Sequence, residues 1–196
     1  MPQLRILGGS AKGRTLVIPN TARPTPARVR KSLFDLLEVH FGVGSSLLDL
    51  YAGSGAVGLE AAARGFVVTM VEKNSAAVET LERNRRTIGV QAKIHKSDAL
   101  RFLEQKHGFD VVFIDPPYDL DLVELTKKAL GSVRLESDGV LISQHPSQIS
   151  MPEVAGFRLE RRVYGSNVLS LYWLEADSDP QGSVVAKRVL SADCDV

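Results

Sequence analysis

The fold is constrained most by a regular alternation of short apolar runs with segments of helical periodicity, which begins at residue 46. Apolar runs of a few residues bounded by turn residues indicate buried strands, and apolar positions three or four residues apart indicate helices. Four successive strand–helix units predict a parallel sheet with helices on both faces, and therefore an α/β protein. The predicted strands are 46–51, 67–72, 92–96, 110–115 and 139–144, and the predicted helices lie near 56–64, 75–88, 98–106 and 120–131.

The two ends of the chain depart from this alternation. Residues 157–164 and 167–174 are predicted to form two strands joined by a Gly-Ser turn, so the sheet is expected to close with an antiparallel hairpin. A basic hairpin is predicted near the start of the chain, followed by a helix that begins at residue 25 or 26. These patterns divide the chain into a basic hairpin and helix, a sheet domain and a flexible tail, with the bounds 1–43, 44–176 and 177–196.

The distribution of charge along the chain is one-sided. Residues 1–31, here called the basic arm, contain seven basic residues and no acid, so the arm carries +7 and the remainder −6. This segregation suggests a polyanionic partner such as a nucleic acid, the alternative being an ordinary solvated face. Three of the cations stand at the start of the predicted helix, where the helix dipole disfavours them, so we expect them to serve a ligand. The candidate RNA contacts are Arg5, Lys12, Arg14, Arg28, Arg30 and Lys31.

The composition excludes several other classes of protein. Cys194 is the only cysteine, which excludes a disulfide framework and a cysteine-built zinc site, and the four histidines are scattered along the chain. No metal site is therefore expected. The sequence has no apolar stretch long enough to span a membrane and no secretory leader. A cytoplasmic monomer without a membrane partner is the expectation.

A glycine-rich loop stands at the first predicted strand–helix junction. Gly53, Gly55 and Gly58 form the pattern G-x-G-x-x-G, in which glycines permit a tight turn and bring the backbone and the helix N-terminus close to a nucleotide. This pattern alone fits NAD and S-adenosylmethionine equally. Asp49, at the end of the strand, favours S-adenosylmethionine, because a carboxylate can face the ammonium group of its methionine part but would repel a pyrophosphate.

Two further acids follow the next two predicted strands. Glu72 ends the second strand, where a carboxylate can bind both hydroxyls of a ribose. Asp98 follows the third strand beside Ala99 and can accept a hydrogen bond from an adenine amino group, with a helix N-cap as its alternative role. Acids at successive strand ends meet at one edge of a parallel sheet, so they predict a cofactor site there.

The fourth predicted strand ends in the sequence Asp115-Pro116-Pro117-Tyr118. The prolines lack an N–H and stop the strand, so a carboxylate, rigid carbonyls and an aromatic ring are fixed at its carboxyl end. This set suits a planar group that carries an NH₂, since Asp115 and a proline carbonyl can accept its two hydrogens while Tyr118 stacks on its face. An ordinary strand-ending turn with a surface tyrosine is the alternative.

The arm carries a further signature: Arg5-Ile6-Leu7-Gly8-Gly9, Lys12-Gly13-Arg14, and Arg23-Pro24-Thr25 followed by Val29-Arg30. Together with the glycine loop, the DPPY turn and the closing hairpin, this signature resembles the RsmD family of class I S-adenosylmethionine-dependent methyltransferases. The resemblance covers roughly residues 4–174, and the arm signature is its specific part. It implies a Rossmann-like seven-stranded sheet, mostly parallel, with a C-terminal antiparallel hairpin.

The resemblance also implies an activity: methyl transfer from S-adenosylmethionine to the N2 amino group of a guanine in bacterial 16S rRNA, guanine 966 in rRNA numbering. The partner would be this rRNA within a partly or fully assembled small ribosomal subunit. Asp115 to Tyr118 would hold the base, and Arg23 and Thr25 would close over the cofactor. The other donor-binding residues would be Asp49, Tyr51, Ala52, Gly53, Ser54, Gly55, Glu72, Lys73, Asp98 and Ala99.

Four alternatives stay open at this point. An N6-adenine methyltransferase of DNA or RNA would use the same turn, because the turn suits any planar amino group. A glutamine-directed protein methyltransferase fits less well, because the basic arm favours nucleic acid. An NAD-dependent oxidoreductase would share the glycine loop but has no use for the DPPY turn. An RNA-binding protein without catalytic activity is disfavoured by the intact motifs.

Overall fold

The computed structural model describes residues 4–18, 25–104, 107–117 and 119–175, so the predicted flexible tail lies outside the described residues. Two short antiparallel strands, β1 (Leu4–Arg5) and β2 (Thr15–Leu16), enclose a single 3-10 turn at Gly9–Ala11. A helix follows, α1 (Ala27–His40). The predicted basic hairpin and helix are therefore present.

The remaining strands form the seven-stranded sheet that the alternation and the closing hairpin predicted. These strands are β3 (Ser46–Asp49), β4 (Val67–Glu72), β5 (Lys93–Lys96), β6 (Gly108–Ile114), β7 (Arg134–Pro146), β8 (Phe157–Tyr164) and β9 (Asn167–Leu174). The helices between them are α2 (Gly58–Ala63), α3 (Ser75–Ile88), α4 (Ala99–Leu103) and α5 (Leu122–Ser132). The strands lie in the order β5-β4-β3-β6-β7-β9-β8, all parallel from β5 to β7, with β9 antiparallel to both of its neighbours.

Helices cover both faces of the sheet, as a parallel sheet requires. On one face, α1, α2 and α3 pack against strand residues such as Val111 and Ile142. On the other face, α4 and α5 pack against the alternate strand residues, among them Val112 and Leu141. Among the helices of the described residues, none is long and apolar enough to cross a membrane.

The amino-terminal hairpin shares its core with the sheet domain. Leu4, Ile6 and Leu16 are buried in the same apolar cluster as Phe34 of α1 and Phe113 of β6. The boundary predicted at residues 43 and 44 therefore marks a change in composition and does not separate two cores.

The largest departure from the predicted elements is the length of β7. The prediction placed this strand at 139–144, whereas the structure extends it to Arg134–Pro146. Arg134 and Leu135 pair with the start of β6 before a register shift between Phe109 and Val111, and Asp138 has a φ of 62° there. A polar segment with a left-handed residue has no period-2 pattern, so its sequence did not indicate a strand.

A buried ion pair attaches the basic arm to the sheet domain. The side chain of Arg30, in the first turn of α1, is 1% exposed and donates over 2.9 Å to Glu60 of α2, whose side chain is 0% exposed. The same guanidinium donates to the backbone carbonyl oxygens of Arg5 at 3.0 Å and of Ala56 at 3.4 Å. Glu60 also accepts from Arg64 at 2.8 Å. One charged group thus joins β1, α1 and the glycine loop.

The prediction that Arg30 contacts RNA is wrong, because this side chain is buried against Glu60 and cannot present its charge to a ligand. The helix dipole disfavours a cation at the start of α1, and the buried Glu60 carboxylate, not a polyanion, explains why Arg30 stands there. The cations at Arg28 and Lys31, on the same helix, are exposed.

A cluster of rings joins the end of α1 to the closing hairpin. The ring of Trp173, on β9, lies 4.7 Å from that of His40 and stacks on Phe41, with ring centroids 6.1 Å apart and an angle of 6° between the planes. Trp173 pairs with Val140, near the middle of β7, so the cluster lies away from the carboxyl ends of the parallel strands. These contacts connect residues that are more than 130 positions apart in sequence.

We expect Glu60→Ala to lower the free energy of unfolding by about 3–5 kcal/mol, because it leaves the buried Arg30 charge without its carboxylate. Asp35→Ala is the matched control. Asp35 pairs with Lys31 at 2.6 Å, but the two side chains are 56% and 71% exposed, so its loss should stay within about 1 kcal/mol. Urea unfolding of both variants measures the difference, and equal losses would mean that the buried pair contributes no more than a surface pair.

Candidate active site

A cavity of about 500 Å³ opens at the carboxyl ends of the parallel strands. Residues that follow β3, β4, β5 and β6 all line it, as expected for a ligand site in an open α/β sheet. Of the predicted site residues, Gly55 and Asp98 are not among the lining residues, and Arg23 and Tyr118 lie outside the described residues. The predicted residues that do line the cavity are Asp49, Tyr51, Ala52, Gly53, Ser54, Glu72, Lys73, Ala99, Thr25, Asp115, Pro116 and Pro117.

The glycine loop forms one wall of the cavity, between the end of β3 and the start of α2. Gly53 and Gly55 have φ angles of 51° and 81°, a backbone conformation that other residues rarely adopt. A Cβ atom on Gly58 would lie 2.5 Å from the Sδ atom of Met70 on β4. The third glycine of the pattern therefore allows α2 to pack closely on the sheet.

Asp49 lies at the end of β3, behind this loop. It is 2% exposed, and its Oδ2 atom accepts a hydrogen bond from the Gly58 N–H at 3.0 Å. Burial raises the pKa of Asp49 to about 7, and the neighbouring charges of Asp115 and Glu72 add to this effect, whereas the N–H groups of Gly58 and Tyr51 oppose it. A cation bound in the cavity beside Asp49 would favour its ionised form.

Glu72 connects the end of β4 to the glycine loop. Its Oε2 atom accepts from the Gly53 N–H at 3.1 Å, and its Oε1 atom accepts from the Asn74 N–H at 2.8 Å. Asn74 in turn caps α3 by accepting from the Ala77 N–H at 3.1 Å. The carboxylate is thereby held at the cavity wall, where the sequence predicts a ribose contact.

Asp98 takes the alternative role that the sequence left open. Its Oδ1 atom accepts from the N–H groups of Leu100 at 3.1 Å and Arg101 at 3.4 Å, so Asp98 caps α4. Its neighbours Ser97 and Ala99 line the cavity, but Asp98 itself does not. The predicted contact between Asp98 and an adenine therefore stays a prediction, and it needs the oxygen that the cap does not use.

The turn after β6 is held by the segment that precedes α1. The Thr25 hydroxyl donates to Asp115 Oδ2 at 2.9 Å, and Thr25 is buried. Pro116 is buried and Pro117 is exposed, and the Pro117 carbonyl accepts from the Leu120 N–H at 3.2 Å. Residues 90 positions apart in sequence thus set the orientation of the Asp115 carboxylate at the cavity.

Sequence reasoning missed five polar residues that line the same cavity, which are Asn74, Ser97, Asp119, Gln144 and Asn167. Gln144 follows the apolar run of β7, so the strand-end rule that found Asp49 and Asp115 could have found it. Asn167 begins β9 beside the end of β7, and only the antiparallel pairing of Pro146 with Asn167 brings it to the cavity.

The candidate RNA contacts differ in what their side chains do. Arg5, Lys12, Arg28 and Lys31 are exposed. Arg14 is exposed as well, but its guanidinium donates to the Ile88 carbonyl oxygen at 2.8 Å and caps the end of α3. Four exposed cations of the arm therefore remain as the best candidates.

The fold and site together define the class of this protein. A sheet of five parallel strands closed by an antiparallel pair, a glycine loop after its first strand and acids at successive strand ends are the features of a class I S-adenosylmethionine-dependent methyltransferase. A solved structure of a hypothetical protein from Thermus thermophilus has the same fold, with a TM-score of 0.79 and 43% identity over 85% of this chain and 97% of that one.

The chain belongs to the RsmD family, since the family model described as "Conserved hypothetical protein 95" matches residues 4–173. The ribosomal RNA small subunit methyltransferase D of Escherichia coli K12 is 36% identical over 185 residues, which cover 90% of this chain and 93% of that protein. The protein of the same name from Haemophilus influenzae is 35% identical over 161 residues, which cover 72% and 83%. The family expected from the motifs is confirmed.

Asp49→Asn should change how stability depends on pH. Because the folded pKa of Asp49 is about 7 against an ordinary 3.8, its contribution to stability is largest below about pH 4 and is lost as the pH rises toward 7. Asn carries no charge at any pH, so the Asp49→Asn variant does not lose stability in this way. In the absence of donor, its free energy of unfolding should exceed that of the wild type by a few kcal/mol near pH 8, because each unit of pKa shift corresponds to about 1.4 kcal/mol. Near pH 4 the two free energies of unfolding should be about equal. Urea unfolding at both pH values measures this.

The exposed Asp119→Asn serves as the control for loss of a carboxylate, and it should leave the pH dependence as in the wild type. A constant difference between the Asp49→Asn variant and the wild type at all pH values would contradict the expectation.

Proposed function

We propose that this protein transfers a methyl group from S-adenosylmethionine to the exocyclic N2 amino group of a guanine in 16S rRNA. The observation that carries the proposal is the position of Asp115: its carboxylate, oriented by Thr25, lines the same cavity as the glycine loop and Asp49. A base amino group at Asp115 and a methyl donor at the loop would therefore meet within one cavity. The membership of the RsmD family supports the choice of rRNA.

The residues of the cavity fit S-adenosylmethionine. Asp49 is a buried carboxylate whose pKa is raised by burial and by the charges of Asp115 and Glu72, so the donor's ammonium group suits this position. The glycine loop allows close approach of the backbone, Glu72 can bind the ribose hydroxyls, and Ala99 offers an apolar wall to the adenine. S-Adenosylmethionine supplies, when bound, an electrophilic methyl group on a sulfonium.

Asp115 and Pro116 act on the nucleophile. The N2 lone pair of guanine is delocalised into the ring, which makes this nitrogen a poor nucleophile. Hydrogen bonds from its two N–H groups to the Asp115 carboxylate and the Pro116 carbonyl favour a pyramidal nitrogen and orient its lone pair toward the methyl group. Both bonds strengthen as positive charge develops on the nitrogen, so they stabilise the transition state more than the ground state.

The methylated nitrogen carries a positive charge and is a strong acid, so it loses its proton to the Asp115 carboxylate or to water after the transfer, and the reaction needs no strong general base. Alignment of the amino group with the methyl group supplies much of the remaining acceleration. Tyr118, outside the described residues, is proposed to stack on a flipped or unpaired base, and Arg23 and Thr25 to cover the site.

The basic arm is proposed to bind the rRNA backbone through its exposed cations Arg5, Lys12, Arg28 and Lys31. One cavity and a short arm are a small surface with which to select one guanine, so we propose a partly or fully assembled small subunit as the substrate and a cytoplasmic monomer as the enzyme. Methylation of purified 16S rRNA compared with small subunits from an enzyme-deficient strain, followed by mapping of the modified nucleotide, tests this proposal and the assignment to guanine 966.

Asp115→Ala should lower the rate of methyl transfer by ~10²–10³, because it removes one of the two acceptors that stabilise the developing charge. The affinity for S-adenosylmethionine, measured by titration calorimetry, should stay close to that of the wild type. Transfer at near the wild-type rate would remove Asp115 from the mechanism.

A matched pair of variants tests the orientation of Asp115 by Thr25. Thr25→Val keeps the shape of the side chain but loses the 2.9 Å hydrogen bond, so transfer should slow by about tenfold, the equivalent of roughly 1.4 kcal/mol and of one hydrogen bond. Thr25→Ser keeps the hydroxyl and should retain most of the wild-type rate. Equal rates in the two variants would mean that the hydrogen bond does not position the carboxylate.

Arg28→Glu should weaken binding to the small subunit and reduce the dependence of binding on salt, while the affinity for the donor stays unchanged. Lys128→Glu on α5 is the control, because Lys128 is also exposed but α5 covers the opposite face of the sheet from α1. The affinity of both variants for the small subunit, measured at two salt concentrations, tests this expectation. Equal weakening in both variants would reflect net charge alone and would contradict a specific role for the arm.

A further inference from the structure

Gln144 is a buried polar residue of the cavity with an unsatisfied group. It is 2% exposed, and its Oε1 atom has no hydrogen-bond partner among the described residues. Gln144 also lines the cavity, together with Asp115 and Thr25. An unpaired buried amide oxygen is costly in a folded protein, and where such an oxygen belongs to a residue that lines a cavity, a bound ligand can supply the missing donor.

The neighbouring polar residues of the same strand have partners. Ser143 pairs with Thr126 at 3.2 Å, and the ring of His145 pairs with Ser170 at 2.8 Å. The polar end of β7 is thus hydrogen-bonded within the protein on both sides of Gln144. The unsatisfied oxygen is specific to the residue that lines the cavity.

The register of the sheet places Gln144 beside Asp115. Phe113 of β6 pairs with Ile142 of β7, and both belong to the apolar cluster on the α1 face of the sheet. Asp115 and Gln144 stand two residues further along their chains, so the alternation of side chains directs both to this same face. Neighbouring strands lie ~4.8 Å apart, which is a spacing suited to adjacent groups on the edge of one base.

We propose that Gln144 reads the Watson–Crick edge of the target guanine, an inference that rests on the proposed function. Guanine presents its N2 amino group, its N1–H and its O6 in a row. With N2 at Asp115, the next two groups meet the Gln144 amide: Oε1 accepts the N1–H, and the amide nitrogen donates to O6. Gln144 is then a specificity-determining residue.

This arrangement separates guanine from adenine. Adenine has an acceptor at N1 where guanine has a donor, so an adenine amino group at Asp115 would leave Gln144 Oε1 buried and unpaired. A site built to hydrogen-bond a substrate group discriminates strongly against an analogue that lacks it, because the site's own polar group is left without a partner. The DPPY turn selects for an amino group, and Gln144 selects the base that carries it.

The test uses small subunits reconstituted with 16S rRNA that carries either guanine or 2-aminopurine at the target nucleotide. 2-Aminopurine keeps the N2 amino group but has neither N1–H nor O6. The wild type should methylate guanine faster, on the order of ten- to a hundredfold, the discrimination typical of a bidentate base contact. In Gln144→Leu the guanine rate should fall and the 2-aminopurine rate should stay the same or rise, because no buried amide is left unpaired, so that the two rates become similar.

Two controls make the result specific. Ser143→Ala removes a buried hydroxyl from the same strand on the other face, and it should keep the wild-type preference. Titration calorimetry should give the same affinity for S-adenosylmethionine in Gln144→Leu and the wild type. If Gln144→Leu fails to fold, as its donor affinity and thermal unfolding would reveal, the nearly isosteric Gln144→Met carries the same comparison.

An unchanged preference for guanine in these variants overturns the inference. A loss of donor affinity as large as the loss of guanine methylation, in a folded variant, overturns it as well, because the amide would then serve the donor. Failure of the wild type to methylate the N2 group of guanine in small subunits is a different result, and it overturns the proposed function itself.

Discussion

The buried contact between Arg30 and Glu60 is the interaction on which the arrangement of the site depends. The Arg30 guanidinium also donates to the carbonyl oxygens of Arg5 and Ala56, so the same group fixes the amino-terminal hairpin, the first helix and the glycine loop. The segment that leads into that helix also carries Thr25, which orients Asp115. The charge of the basic arm alone would place it on the surface, but its residues Arg30 and Thr25 hold the backbone and the Asp115 side chain that line the cavity.

The cavity follows from one property of parallel sheets: the carboxyl ends of the strands face the same edge. Asp49, Glu72, Asp115 and Gln144 belong to the ends of four different strands and line one cavity as a result. Asp49 and Glu72 surround the proposed place of the donor, and Asp115 and Gln144 surround that of the base. Asp49 and Asp115 are close enough for their charges to interact.

The elements that the sequence predicted well are those with a strong local signal. The strands at 67–72, 157–164 and 167–174 and the helix at 75–88 have the predicted bounds, because apolar periodicity and turn residues define them locally. The strand-end rule likewise brought Asp49, Glu72 and Asp115 to the cavity.

The wrong prediction for Arg30, the undecided role of Asp98 and the missed Gln144 have a different origin. The charge of Arg30 was counted correctly, but its burial depends on Glu60, which is 30 residues away in sequence. The cap made by Asp98 and a contact of Asp98 with adenine use the same residue type at the same place, so local sequence cannot decide between them. Gln144 stands at a strand end, but a single glutamine there is ordinary in any sequence, and its buried oxygen without a partner among the described residues is what sets it apart.

The ring cluster at Trp173 has a practical consequence. Trp173 is the only tryptophan of the chain, and its neighbours are His40 and Phe41 at the end of the first helix. Its fluorescence therefore reports whether the amino-terminal helix is seated against the carboxyl-terminal hairpin, a contact between elements far apart in sequence. Because the indole lies away from the strand ends that line the cavity, its emission is suited to following the assembly of these two parts of the chain.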